Sequence, residues 1–327
     1  MVQTTVRDAI RDGLRRAMLD DERVVLMGED IGAYGGSYSV TKGLLDEFGP
    51  DRVIDTPIAE SVVVGCGIGA AMAGMRPIVE VMTINFSLLA IDQIINNASK
   101  IHYMSDGQIN VPLIIRMASG GGSQLSAQHS HSLEGWYAHV PGLVVACPSN
   151  PADARGLLNS ALDEPNPVIF IENTSTYRVS GEAPDGEYRV PFGVARTLRS
   201  GSDVTIVAYA GVVARALESA DGLTAMGIEA EVIDPRTLRP LDVDSIVESV
   251  RKTGRLVVVE DDWRFGGFGA EIAAQVQELA FDYLDAPVAR VAGVEVPMPY
   301  NASLEAAAMP SVDDIVEAAA RLVSRPA

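Results

Sequence analysis

The chain has 327 residues, 47% hydrophobic and 21% charged, with a formal net charge of −19. Its length favours two hydrophobic cores over one, and its composition is that of an ordinary globular protein. The acidic excess repels phosphate backbones and anionic lipid, which argues against binding to nucleic acid or to a membrane surface.

The opening stretch, MVQTTVRDAIRDGLRRAML, reads as a charged amphipathic helix without the apolar core of a signal peptide. No apolar run approaches the roughly 18 residues of a membrane span, so the cytoplasm is the expected compartment. Short buried strands are predicted at 23–28, 76–82, 111–117, 142–148 and 167–172, where β-branched runs end at Gly, Pro or Asp. Helices are predicted between them, at 59–74, 85–103 and 150–163. The last has an Asn150 cap and Pro151 in its first turn. Over 173–203 the periodicity lapses into Gly, Pro, Ser and charge. Strands then recur in DVTIVAYA, IEAEVID, RLVVVED and VARVAGVE, with helices at 211–226, 242–250, 268–280 and near 311–323. This alternation predicts α/β layers around mostly parallel sheets. The expected division is a domain over 1–185, a linker over 186–200 and a smaller domain over 201–327.

Cys66 and Cys147 lie in VVVGCGIGA and LVVACPS, so both are expected to be buried, reduced thiols. The stretch from Gly65 to Ala70 has the spacing of a dinucleotide fingerprint. Asp55 and Pro57 interrupt the strand that should precede it, so close helix packing is the better reading. DTPIAES places Glu60 in the first turn of a helix of small residues, where offsetting the helix dipole is the ordinary role. His129 and His131 are two of four histidines, and both fall in the glycine-rich SGGGSQLSAQHSHSLEGWY. Histidine supplies acid–base chemistry near neutral pH. A metal site lacks a convincing third ligand, and no GxSxG elbow supports a serine hydrolase.

Seven blocks carry a more specific signal. LMGEDIGAYGGSYSVTKGL (26–44), RVIDTPIAE (52–60), MTINFSLLAIDQIINNASKIHYMSDGQ (82–108) and AQHSHSLEGWYAHVPGL (127–143) are followed by EVIDPRTLRPLD (231–242), GRLVVVED (254–261) and VPMPYNASLE (296–305). In order and spacing they resemble the beta subunits of thiamine-diphosphate-dependent 2-oxoacid dehydrogenases, the pyruvate, branched-chain and acetoin enzymes. The resemblance implies a pyrimidine-binding fold followed by a transketolase C-terminal-like α/β domain. It also implies an α2β2 heterotetramer with a separate alpha subunit, decarboxylation of a pyruvate-like 2-oxoacid, and acyl transfer to a lipoyl group of an acyltransferase partner. Residue by residue, Glu60 aligns with the glutamate on a pyrimidine ring nitrogen and Phe86 with the aromatic residue packed on that ring. His129 aligns with the histidine that assists acyl transfer. A structural K⁺ is implied near Leu113, Ala161, Glu164 and Asn166, held mainly by backbone carbonyls.

The superfamily's GDG…Asn motif for magnesium and diphosphate is absent from the chain, so the resemblance assigns Mg²⁺ to the alpha subunit. Departures from the family pattern fall at Asp106, where SGGQ is usual, at His131, where HSQ is usual, in the Gly-rich loop and in NTSTY (173–177). They keep open a diverged transketolase-like two-carbon or acyl transfer to a carrier protein. A scaffold that has lost catalysis would be expected to lack Glu60 or His129, and the chain has both.

Overall fold

Thr5 accepts the backbone N–H of Asp8 at 3.1 Å and so opens the first helix, α1 (Val6–Asp20), behind a short strand, β1 (Val2–Thr5). The computed structural model describes residues 1–324 and divides into two units. The first comprises Met1–Ser119 and Trp136–Phe192; the second comprises Gly120–Gly135 and the chain from Gly193 onward.

In the first unit, six parallel strands follow β1. They are β2 (Val24–Gly28), β3 (Val53–Asp55), β4 (Arg76–Thr83), β5 (Ile114–Ser119), β6 (Val144–Ala146) and β7 (Val168–Asn173). Their spatial order is β6-β7-β5-β4-β2-β3. All six residues of β5 and all six of β7 are buried, as expected for central parallel strands covered on both faces. The helices are α2 (Leu44–Phe48), α3 (Glu60–Met72), α4 (Ser99–Met104) and α6 (Pro151–Asp163), while α5 (Glu134–Ala138) returns the chain to this unit. On one face α1 packs on α6 through Ile10, Leu14, Leu157 and Leu158, all fully buried. Each such side chain contributes roughly 1.5–3 kcal/mol. A Cβ on Gly13 would lie 2.9 Å from a Leu158 methyl, so a larger residue there would push the Leu158 side chain aside at the helix crossing.

Charge is nevertheless buried in this core. Arg116 on β5 donates from Nε and Nη2 to Glu172 of β7, at 2.6 and 2.8 Å, and from Nη1 to Glu80 of β4 at 2.6 Å. Tyr177 donates its hydroxyl to Glu172 at 2.8 Å, and Tyr38 stacks on its ring at 5.2 Å. Burial pushes the Glu80 carboxyl upward, with Arg116 pulling against it. NTSTY serves this cluster: Asn173 caps the turn over 174–176 that delivers Tyr177.

The second unit contains β9 (Arg196–Arg199), β10 (Val204–Ala208), β11 (Ala230–Asp234), β12 (Thr237–Arg239), β13 (Leu256–Trp263) and β14 (Ala289–Gly293). Five strands form a sheet in the order β14-β13-β10-β11-β9, parallel except for β9. Its helices are α7 (Val213–Ala225), α8 (Val243–Thr253), α9 (Gly269–Ala280), α10 (Ala302–Ala308) and α11 (Val312–Val323). Val204, Ile206, Val232, Val257, Ile315 and Leu322 lie in the core.

Three sequence expectations are corrected here. The stretch read as a linker contains β9, and the lapse before it contains β8 (Ser180–Ala183), which pairs antiparallel with β1. Both strands are polar and mostly uncovered, so neither shows the alternation that marks a half-buried strand. The predicted helix over 85–103 is a 3-10 turn at Phe86–Ala90, a wide π turn at Gln93–Ala98 and then α4. Asn97 Nδ2 donates to the Asp92 carbonyl at 3.4 Å there, competing for an acceptor of the regular ladder. Cys147 is buried as expected, but Cys66 is exposed. It lies with Val62 and Gly69 along the outer face of α3, a helix apolar all round that has no polar face to show which side is out. Among the described residues no helix is long and apolar enough to cross a membrane.

Candidate active site

In open parallel sheets, ligand sites form beyond the carboxyl ends of the strands. Here β2, β3 and β4 end at Gly28, Asp55 and Thr83, and the segments beyond them carry Glu29, Glu60 and Phe86. Glu60 is half-buried and is the first residue of α3. The helix-capping residue, Ala59, offers no side-chain acceptor, so the unpaired N–H groups of the first turn favour a carboxylate there. Phe86 opens the 3-10 turn that packs against α3, so the structure brings the Glu60 helix and the Phe86 turn together.

Asp55 anchors the loop after β2, accepting the backbone N–H groups of Gly32 at 2.6 Å and Ala33 at 3.3 Å. A Cβ on Gly32 would lie 2.5 Å from that carboxylate, so the approach requires glycine. Glu29 was not singled out in the sequence. Burial raises its carboxyl above the usual range, and Asp30 and then Glu60 push it further. Its signal was its position, one residue past a strand in MGED.

His129 belongs to the second unit, on the loop 120–135. It ends a short turn over Ala127–His129 and is half-buried. Gly120 donates to the His131 carbonyl at 2.9 Å, which joins the loop on either side of His129. The His131 imidazole meets Trp263 edge-on at 5.4 Å, and burial lowers its pKa. Asp106, the other departure, has φ of +53° beside Gly107 at +76°, with Gln108 donating to the Ser105 carbonyl at 3.1 Å. It is an exposed turn residue of a type that tolerates the left-handed region.

Beside His131, Asp262 is 8% exposed and its carboxyl is pushed up to about 7. Burial is the main cause; Trp263 N–H and Arg290 oppose it, and Glu260 and Asp261 add to it. The folded chain keeps this proton up to about pH 7, whereas the unfolded chain releases it near the ordinary aspartate value. Stability from the proton is therefore present in acid and lost as the pH rises through about 7. Asp262→Asn is expected to flatten this slope, gaining melting temperature relative to the parent between pH 5 and pH 8. The gain should be several degrees, at about 2–4 °C per kcal/mol. Parallel melting profiles for the two proteins would refute the assignment.

The four residues expected near a monovalent cation gather at the turn between α6 and β7 and at the start of β5. The Leu113 carbonyl accepts Val168 N–H at 2.9 Å, and the Ala161 carbonyl accepts Glu164 N–H at 3.3 Å. Each carbonyl has a second lone pair. Glu164 Oε1 accepts from Asn166 N and Nδ2 at 3.1 and 2.8 Å.

Residues 2–180 match the transketolase pyrimidine-binding domain, and residues 193–315 match the transketolase C-terminal domain. The chain is 51% identical, over 99% of its length and 87% of the relative's, to the mitochondrial pyruvate dehydrogenase E1 component subunit beta-2 of Oryza sativa subsp. japonica. It is 50% identical to the pyruvate dehydrogenase E1 component subunit beta of Rickettsia felis, over 97% of each chain. Among solved structures it is similar to a split gene transketolase described as an inactive beta4 tetramer. The TM-score is 0.79, with 26% identity over 98% of each chain.

Proposed function

The chain belongs to the family of pyruvate dehydrogenase E1 beta subunits, thiamine-diphosphate-dependent enzyme components, and from that premise we propose that it supplies the pyrimidine half of the cofactor site. The other half comes from an alpha subunit in an α2β2 heterotetramer that decarboxylates pyruvate or a close 2-oxoacid and passes the acyl group to a lipoyl acceptor. The observation that carries this reading is the place of Glu60, at the start of α3 beside the Phe86 turn and beyond the carboxyl ends of the strands.

When bound, thiamine diphosphate supplies the electron sink for decarboxylation. Glu60 would hold or share a proton at a pyrimidine ring nitrogen, and its charge adds to the rise of the neighbouring Glu29 carboxyl, after burial and Asp30. Phe86 packs on the ring face and excludes water. His129 exchanges a proton during transfer to the lipoyl sulfur. Magnesium and the diphosphate belong to the alpha subunit, since the chain lacks the motif that binds them. K⁺ is proposed at the carbonyls of Leu113 and Ala161 and at Glu164 and Asn166, a set of hard oxygen donors that suits it. Exposed Ile58, Val62 and Met72 on and before α3, 75%, 62% and 46% accessible, support burial of this face against another chain. We propose the cytoplasm as the compartment, supported by a cysteine content of only two.

With the alpha subunit, thiamine diphosphate and magnesium, 2-oxoacid-dependent reduction of a dye is expected. The structural likeness to a split gene transketolase supports a second reading, two-carbon transfer by the same fold. Turnover of ketose phosphates without any turnover of 2-oxoacids would favour that reading and overturn the first.

A further inference from the structure

The loop that carries His129 is tied to a carboxylate far along the chain. Gly122 donates its backbone N–H to Glu305 Oε1 at 2.9 Å, and Gln124 donates to Oε1 and Oε2, both at 3.1 Å. Both loop residues have positive φ, +96° and +55°, which turns their N–H groups into one anion-binding concavity. The occupant comes from a fixed element. Asn301 caps α10 through Ser303 N and Leu304 N, and Glu305 is only 3% exposed. Between the two donors and the loop's start, a Cβ on Gly121 would lie 2.9 Å from the Met298 methyl and 3.1 Å from the Met309 sulfur, so the backbone rests directly on these side chains. With Gly120 joined to His131, the loop is closed at its ends and pinned in its first half. His129 is carried on what remains.

We propose that Glu305 is a positioning residue for His129, its carboxylate fixing the glycine-rich loop so that the imidazole meets the acyl acceptor in one orientation. This rests on the acyl-transfer role read for His129 above. Glutamine keeps the size of the side chain, but with its oxygen in the shared Oε1 place its amide nitrogen faces Gln124 N–H, so Glu305→Gln loses one of that donor's two bonds and the charge that strengthens all three. A displacement of about 1 Å at a reacting group can cost roughly 100-fold.

The test uses the assembled α/β enzyme with a lipoyl acceptor and, separately, a dye acceptor. Glu305→Gln is expected to lower the ratio of lipoyl transfer to dye-linked turnover by about 10- to 100-fold. His129→Ala should lower the same ratio, and the double variant should fall no further than His129→Ala alone. Hydrogen exchange should accelerate over residues 120–131 in Glu305→Gln and stay unchanged elsewhere. If Glu305→Gln fails to assemble, Glu305→Asp, which keeps the charge but withdraws it by one methylene, is expected to show the same fall in ratio. A normal ratio in the Glu305 variant beside an impaired His129→Ala enzyme would overturn this proposal alone, as would additive losses in the double variant. A normal ratio in His129→Ala would overturn the role read for His129.

Discussion

Glu60→Gln, assembled with the alpha subunit, is expected to lose turnover by about 10³-fold or more, the range of a positioned acid–base group. Glutamine preserves the volume at the start of α3 but can neither give nor take a proton. The negative charge that helps raise Glu29 disappears as well, so the Glu29 carboxyl should move toward its ordinary range. Cofactor titration separates chemistry from binding: affinity should change by less than about tenfold, since most of the contact surface is untouched. Near-normal turnover with bound cofactor would remove Glu60 from the mechanism.

The second large effect is structural. Arg116→Met leaves Glu80 and Glu172 inside the first unit without their guanidinium. Breaking a buried pair on one side costs about 3–5 kcal/mol, because the remaining charge stays desolvated. Urea denaturation should show that loss, and the melting midpoint should fall by about 10 °C. The sign of the pH dependence identifies the cause. Glu80 is already raised by burial, so its proton stabilises the folded chain in acid, and that contribution is lost as the pH rises through its raised value. Without Arg116 the deficit should therefore shrink in acid, where a protonated Glu80 no longer faces Glu172. A pH-independent deficit would point to lost packing instead.

The central parallel strands were legible in the sequence because burial on both faces writes itself as unbroken Val, Ile and Leu, as in VPLIIRM and PVIFIE. Asn150 and Pro151 marked the start of α6 for an equally local reason: the cap and the fixed φ lie within one turn. What could not be read depended on distant partners. Strands β8 and β9 are polar segments whose pairing with β1 and β11 leaves no local period. Cys66 was misplaced because the sequence of α3 does not distinguish its inner face from its outer face. Glu60, Phe86 and His129 were visible only through resemblance, since a carboxylate, an aromatic ring and an imidazole each have a bland local role. Glu305 stood in a recognised block, but its function lies in two backbone donors that no side-chain pattern records.

The tie between Gly122 and Glu305 spans 183 residues. A ribosome adding about 5–20 residues per second needs on the order of 10–40 s to cover that distance. During that interval most strands of the first unit can already pair, while the histidine loop still lacks the carboxylate that closes it. The segment that carries His129 is thus among the last parts of the nascent chain to be fixed. Chains broken off before α10 would carry a well-formed first sheet and a histidine loop without its Glu305 hold.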